Sequence, residues 1–247
     1  MRIPRIYVVH TLSEGVIVEL AAAPSHHLAK VLRMQPGREL IVFNGQGGEY
    51  QARIHSVQKK SISIIIDSYL DCDRESPIAI ELGVCLIKND RFDWLLQKAT
   101  ELGVSAISPL ISDYTDIKLN QERLAKKIQH WQQVIINACE QSGRTYVPEL
   151  APPQPLSTWV ENVDAPIKTV LHPYPQSIDK PDNKTTVHPK CAALLVGPEG
   201  GLSDAEIADA INHCFIPMTI GPRILRAETA PLAALTLMQA RWGDIAF

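Results

Sequence analysis

Hydrophobic and polar positions change rhythm part-way along the chain. Up to about residue 72, apolar residues come in short β-rich runs at 6–9, 15–20, 39–43, 46–54 and 61–66, broken by turn residues. The third run ends at Asn44-Gly45, a pair that tolerates positive φ. One helical stretch interrupts the series at 26–33, with Ser25 as its predicted N-cap and Pro36-Gly37 as its stop. Short strands at this spacing predict a small β-barrel over residues 1–72.

A polar stretch at 71–77 closes that region, and the period then lengthens. The pattern predicts strands at 78–87, 105–111, 168–172, 192–196 and 216–220. Between them it predicts helices at 91–102, 121–141, 203–213 and 228–241, with a proline-rich connection over 148–155. Strands alternating with helices imply an α/β domain over 77–247 built on a mostly parallel sheet.

Composition narrows this reading without redirecting it. The chain has 247 residues, 45% hydrophobic and 21% charged, which is enough for packed cores in two domains. A net charge of −3 excludes a polycation but permits RNA binding by a basic face. Arg2, Arg5, Lys30, Arg33 and Arg38 crowd the first forty residues and are the candidates for such a face. The five cysteines form no CxxC pair, which argues against a disulfide framework or zinc site and fits a reducing compartment. No signal-like segment opens the chain and no apolar run approaches the roughly 18 residues that span a bilayer, so a cytoplasmic protein is expected. His26-His27 have no third ligand at a recognisable spacing, and no metal is predicted.

Three segments carry candidate chemistry. In the first, an apolar strand runs into Gly197-Pro198-Glu199-Gly200-Gly201, after which Ser203 or Asp204 caps a helix. The spacing is neither a Walker loop nor GxGxxG, and Glu199 would repel a phosphate, so a neutral or cationic ligand suits it better. Taken alone, the segment also reads as a plain turn between strand and helix. The second repeats the layout: a strand, Gly221-Pro222, a loop holding Arg223, Arg226 and Glu228, then a helix opened by Thr229 and Ala230. Such loops belong at the carboxyl edge of an open sheet, where ligands bind. The third places Lys88 and Arg91 where a strand hands over to a helix; cations are disfavoured at a helix start, which favours a contact with RNA phosphates. Around Gly143, the residues Glu140, Gln141, Ser142 and Arg144 cluster at the end of the long helix, where a C-cap explains the glycine.

Together these segments resemble the ribosomal RNA small subunit methyltransferase E family of the SPOUT superfamily. The likeness covers residues 1–7, 27–33, 88–104, 138–144, 194–203 and 220–234, and departs at Ala227, where many members carry threonine. It implies an N-terminal PUA-like RNA-binding barrel and a C-terminal α/β domain with a deep trefoil knot. It also implies a homodimer that uses S-adenosylmethionine to methylate N3 of a uridine in 16S rRNA of the small ribosomal subunit. Carried over, the cofactor pocket is lined by Leu171, His172 and Pro173, and by Val196, Gly197, Pro198, Glu199, Gly200 and Gly201. Ile220, Gly221 and Pro222, with Leu225, Arg226, Thr229 and Ala230, complete it.

A uridine N3 is a weakly acidic imide, so its methylation needs proton removal and a cation for the developing anion. Arg226 is the candidate cation, held by Glu228; Arg2, Arg5, Lys30, Arg33, Lys88 and Arg91 are the candidates for RNA. The general base is not identified, with Glu199 one option. Two rival readings stand beside this one: a related knotted enzyme acting on tRNA or a ribose hydroxyl, and a catalytically silent RNA-binding assembly factor.

Overall fold

The computed structural model describes residues 3–59, 61–116, 121–173 and 189–246, so Arg2 lies outside the described residues. The chain separates into two compact units, Met1–Glu75 with Cys139–Val147, and Ser76–Ala138 with Pro148–Phe247. The first thus extends past residue 72 and takes in a segment that the periodicity assigns to the second domain.

In the first unit, β1 (Arg5–Tyr7), β2 (Ile17–Glu19), β3 (Glu39–Phe43), β4 (Glu49–Val57) and β5 (Ile62–Leu70) form one sheet in the order β1-β3-β4-β5-β2. Only the β1–β3 pair is parallel. No ladder joins β1 to β2 among the described residues, so the hydrogen-bonded sheet is open rather than a closed barrel. Alternation sets the buried face: Ile62, Ile64 and Ile66 point into a core shared with Leu40, Val42, Ala52 and Ile54.

The helical stretch differs from its prediction. A short helix α1 (Ala22–His26) leads into a π-helical turn, His27–Val31. Ser25 is no N-cap: it is buried, donates to the Leu20 carbonyl at 3.0 Å and accepts from the Ile62 amide at 3.2 Å. Anchoring the helix to β5 from within is what the residue does instead. Lys30 in this turn and Arg33 just past it are exposed, and Arg33 adopts φ 49.

Arg5 requires a correction, because it is not available to RNA. Its guanidinium donates to Glu49 at 2.8 Å and to the carbonyls of Cys139 and Arg144 at 2.8 and 3.0 Å, and lies 4.3 Å from the Phe43 ring centre. The segment Cys139–Val147 joins this unit through those bonds, through the Tyr7 amide donating to Glu140 at 2.9 Å, and through the ion pair of Arg144 with Glu75. Gly143, at φ +88, ends the helix there and its carbonyl accepts from Arg74 at 2.9 Å.

The second unit is a parallel sheet in the order β12-β10-β11-β6-β7-β8, with β9 also paired to β7. Its strands are β6 (Ala79–Cys85), β7 (Ala106–Ile111), β8 (Glu149–Leu150), β9 (Gln154–Pro155), β10 (Lys168–Leu171), β11 (Cys191–Val196) and β12 (Ile216–Met218). Its helices are α2 (Asn89–Glu101), α3 (Gln121–Ser142, whose last turn belongs to the first unit), α4 (Leu156–Asn162), α5 (Asp204–Asn212) and α6 (Thr229–Trp242). Near-continuous burial of β6 and β11 fits a sheet covered on both faces.

Helix α4, which the periodicity does not predict, begins directly after the proline-rich stretch 148–155. Its signal was Leu156, Trp159 and Val160 at helical spacing, opened by Pro155 as N-cap. A Cβ on Gly83 would lie 2.5 Å from the Trp159 ring, so only glycine lets that indole lie on β6. The indole N–H donates to Glu81. Helix α6 packs on α2, β10 and β11 and is fixed by buried Gln239, which accepts from Ser76 at 2.6 Å and donates to the Leu102 carbonyl at 2.8 Å. No helix among the described residues is long and apolar enough to cross a membrane.

Glu49 generates a pH-dependent prediction. Burial raises its pKa, but hydrogen bonds from Arg74 and Arg5 outweigh this and hold the carboxyl below the ordinary carboxylate range. A depressed folded-state pKa contributes stability at neutral pH that is lost as pH falls through it. Glu49→Gln should therefore cost about 3 kcal/mol at pH 7, as expected when one partner of a buried pair is removed. The gap to wild type in chemical denaturation should narrow as pH falls below the ordinary carboxylate range and through the depressed pKa of Glu49; a gap independent of pH would show that the ionised group is not what matters.

Candidate active site

The three segments singled out from the sequence meet at one edge of the sheet. Strands β10, β11 and β12 are neighbours and parallel, so all three end on the same side. Leu171 is in register with Met218, the His172 amide donates to the Met218 carbonyl at 3.0 Å, and Thr219 donates to the His172 carbonyl at 3.1 Å. Leu171, His172 and Pro173 thus lie beside the chain leading to Ile220, Gly221 and Pro222. On the other flank of β10, Val196 opens the turn Gly197–Gly201, closed by the Gly201 amide donating to Pro198 at 2.9 Å.

Each glycine in this turn has a distinct reason. Gly201 needs φ +78, and a Cβ there would meet open space. A Cβ on Gly197 would lie 2.9 Å from the Leu202 side chain, and one on Gly200 would lie 3.1 Å from Tyr114 Cβ. Two of the three are therefore set by packing within the protein and not by room for a ligand. Ser203 caps α5 in a capping box, accepting from the Glu206 amide at 3.3 Å while its own amide donates to the Glu206 carboxylate at 2.8 Å. Its hydroxyl also donates to Asp113 at 2.8 Å, and the Asp113 amide donates back to Glu206 at 2.9 Å. Asp113 and Tyr114, just past β7, lie against this turn although they fall outside the three candidate segments; a polar run following an apolar strand is their signal in the sequence.

The charged residues are arranged differently from expectation. Glu228 does not hold Arg226: its cationic neighbour is Arg91, with Nε 3.8 Å from Glu228 Oε1. Arg91 Nη1 also lies 3.7 Å from Glu199 Oε1, so Arg91 faces two carboxylates as well as solvent. The reason is topological. Strand β6 is adjacent to β11, and α2 begins just past β6, bringing Arg91 to the Glu199 turn. Both contacts exceed hydrogen-bond length and Arg91 is partly exposed, so they direct the side chains more than they stabilise the fold. The second Glu228 oxygen, Oε2, is buried without a hydrogen-bond partner among the described residues.

Arg226 is exposed, and its guanidinium has no ion pair or hydrogen bond among the described residues. Its carbonyl accepts from the amides of Thr229 and Ala230, both at 2.9 Å, and so starts α6. Lys88 is the exposed N-cap of α2. No group of three His, Cys, Asp or Glu side chains is placed to hold a metal ion among the described residues.

Comparison with known proteins finds RNA methyltransferases. The RNA methyltransferase domain family matches residues 74–239, and the RNA methyltransferase PUA domain family matches residues 23–67. A Buchnera aphidicola protein named ribosomal RNA small subunit methyltransferase E is 36% identical over 245 residues, covering 99% of this chain and 98% of its own. Among solved structures, a Legionella pneumophila methyltransferase with bound SAM superposes with a TM-score of 0.92 at 40% identity, covering 99% of this chain and 100% of the other. A Neisseria gonorrhoeae ribosomal RNA small subunit methyltransferase E bound to S-adenosyl methionine gives 0.88 at 36% identity, with 99% and 100% covered.

The Ser203 network predicts a separable stability effect. Ser203→Ala removes the cap and the tie to Asp113 together and should destabilise the protein by about 1 kcal/mol, the usual cost of an N-cap. Ser203→Asp restores the cap acceptor but repels Asp113, so it should recover only part of the loss in thermal melts. Full recovery would show that the Asp113 tie contributes nothing.

Proposed function

The chain belongs to the ribosomal RNA small subunit methyltransferase E family, and we propose that it transfers a methyl group from S-adenosylmethionine to N3 of a uridine in the 16S rRNA of the small ribosomal subunit. The observation that carries this reading is the convergence of the turns after β10, β11 and β12 at one sheet edge. The residues there fit such a cofactor. Open space beside Gly201 leaves room, and the exposed Glu199 suits a cationic ligand better than an anionic one.

In this reading Leu171, His172 and Pro173, the turn from Val196 to Gly201, and Ile220, Gly221, Pro222, Leu225, Thr229 and Ala230 hold the cofactor. S-adenosylmethionine supplies an electrophilic methyl group on a sulfonium that is its own leaving group, so the chain must provide only binding, orientation and proton handling. Arg226 carries a permanent positive charge with no partner to neutralise it among the described residues, which suits it to stabilise the imide anion. Exposed Lys30 and Arg33 in the first unit and Lys88 in the second contact the RNA backbone. A homodimer and a trefoil knot in the second unit complete the reading; family membership is what supports both. Light scattering should then give twice the 27.3 kDa chain mass.

The deciding experiment supplies labelled cofactor with 30S subunits or tRNA and identifies the modified nucleoside. Label in 3-methyluridine of 16S rRNA is expected; label in tRNA, label on ribose or no transfer would overturn the proposal. Arg226→Ala should lower the single-turnover rate by about 10²–10³ at saturating cofactor while barely changing cofactor affinity. A near-normal rate would remove Arg226 from the chemistry. Replacing Lys30 and Arg33 together by alanine should reduce the slope of log affinity against log salt by about 2, one contact each; an unchanged slope would take them off the RNA.

A further inference from the structure

The Glu228 carboxylate is divided between two environments. Oε1 faces Arg91 at 3.8 Å, while Oε2 is buried and has no hydrogen-bond donor among the described residues. Such an oxygen receives no hydrogen bond from the protein, an arrangement that a ligand's donor would complete. Arg91 is too distant from Glu228 for a normal hydrogen bond, so it fixes one oxygen by charge and leaves the other unused.

The strand order indicates which ligand. Strands β10 and β12, whose turns are assigned above to the cofactor, lie on one side of β11, and β6, which leads to Arg91, lies on the other. Glu228 follows the β12 turn in sequence but is paired to the β6 side, and α6 packs against α2. Glu228 thus joins the β12 turn to the β6 side of the sheet edge and directly precedes Thr229 and Ala230 of the proposed cofactor pocket, so its unused acceptor belongs beside the cofactor, where a group acting on the methyl acceptor is needed.

We propose that Glu228 Oε2 accepts the imide N–H of the target uracil and removes its proton, acting as the general base of the reaction, with Arg91 as the residue that positions it. The step balances: the proton passes from N3 to Oε2, and the nitrogen keeps the electron pair and forms the bond to the methyl carbon. The carbon–sulfur bond breaks with its pair remaining on sulfur. Carboxylate and sulfonium become a neutral acid and a neutral thioether, and the acid then releases its proton to solvent. The same contact selects uracil over cytosine, whose N3 carries no proton and would set acceptor against acceptor.

This assignment rests on the function proposed above, and its test separates the two. Glu228→Gln preserves shape but cannot take the proton. Its single-turnover rate on 30S subunits with saturating cofactor should fall by about 10²–10⁴, while calorimetry shows cofactor affinity within about threefold of wild type. Its rate should also climb about tenfold per pH unit between about pH 7 and 9, as hydroxide replaces the missing base, and more steeply than wild type. Glu228→Asp, a shorter base, should be slow but keep the wild-type pH profile. A Glu228→Gln rate within threefold of wild type, parallel pH profiles, or a loss explained by cofactor affinity would each overturn the assignment. A wild type that forms no 3-methyluridine overturns the proposed function and this assignment with it. An active wild type with an undiminished Glu228→Gln variant overturns only the assignment.

Discussion

Parallel pairing of β11 with β10 on one side and β6 on the other is the constraint from which the rest of the second unit follows. Parallel strands all end at the same edge, so turns more than twenty residues apart in sequence become neighbours without any further device. The register shows how closely this works: Val196 opposes Val84, Val170 opposes Leu195, and Leu171 opposes Met218. Burial makes that register hard to change, because Ala192, Ala193, Leu194, Leu195 and Val196 are all nearly inaccessible. The Gly83–Trp159 contact and the Gln239 hydrogen bonds then fix the helices that carry the loops.

Arginines in this protein have two kinds of employment, and burial separates them. Arg144 is buried and Arg5 largely so, and both are satisfied by carboxylates or carbonyls, so removing a partner leaves an uncompensated charge. Arg91 is partly exposed and held by two long contacts, and Arg226 has no partner among the described residues. The first pair builds the first unit around the Cys139–Val147 segment, and the second pair is available to a ligand. Glu140 adds a tension there: burial pushes its carboxyl up, against the pull of the Tyr7 amide that holds it as an acceptor. Its raised pKa means that it opposes folding more as pH rises, in the opposite sense to Glu49. Buried Cys85 and Cys139 are pushed up to about 12 by burial and are inert as nucleophiles at neutral pH.

Periodicity alone determined the division into a strand-rich half and an alternating α/β half, because burial of one face imposes period 2 on strands and 3.6 on helices. Two Gly-Pro turns after apolar strands, with Glu199, Arg226 and Glu228 close by in sequence, also marked the candidate ligand segments. Only the tertiary structure decided which charges meet. Glu228 is two residues from Arg226, yet its partner is Arg91, far away in the chain, because strand order sets neighbours at a sheet edge. Arg5 reads as a free terminal cation until Glu49 and two carbonyls surround it, and Ser25 reads as a cap until β5 covers it. The proline-rich stretch concealed α4, since Pro155 stops a strand and starts a helix equally well. Local pattern records what each residue must avoid in water; which partner removes it from water depends on chain crossings that no short window of sequence contains.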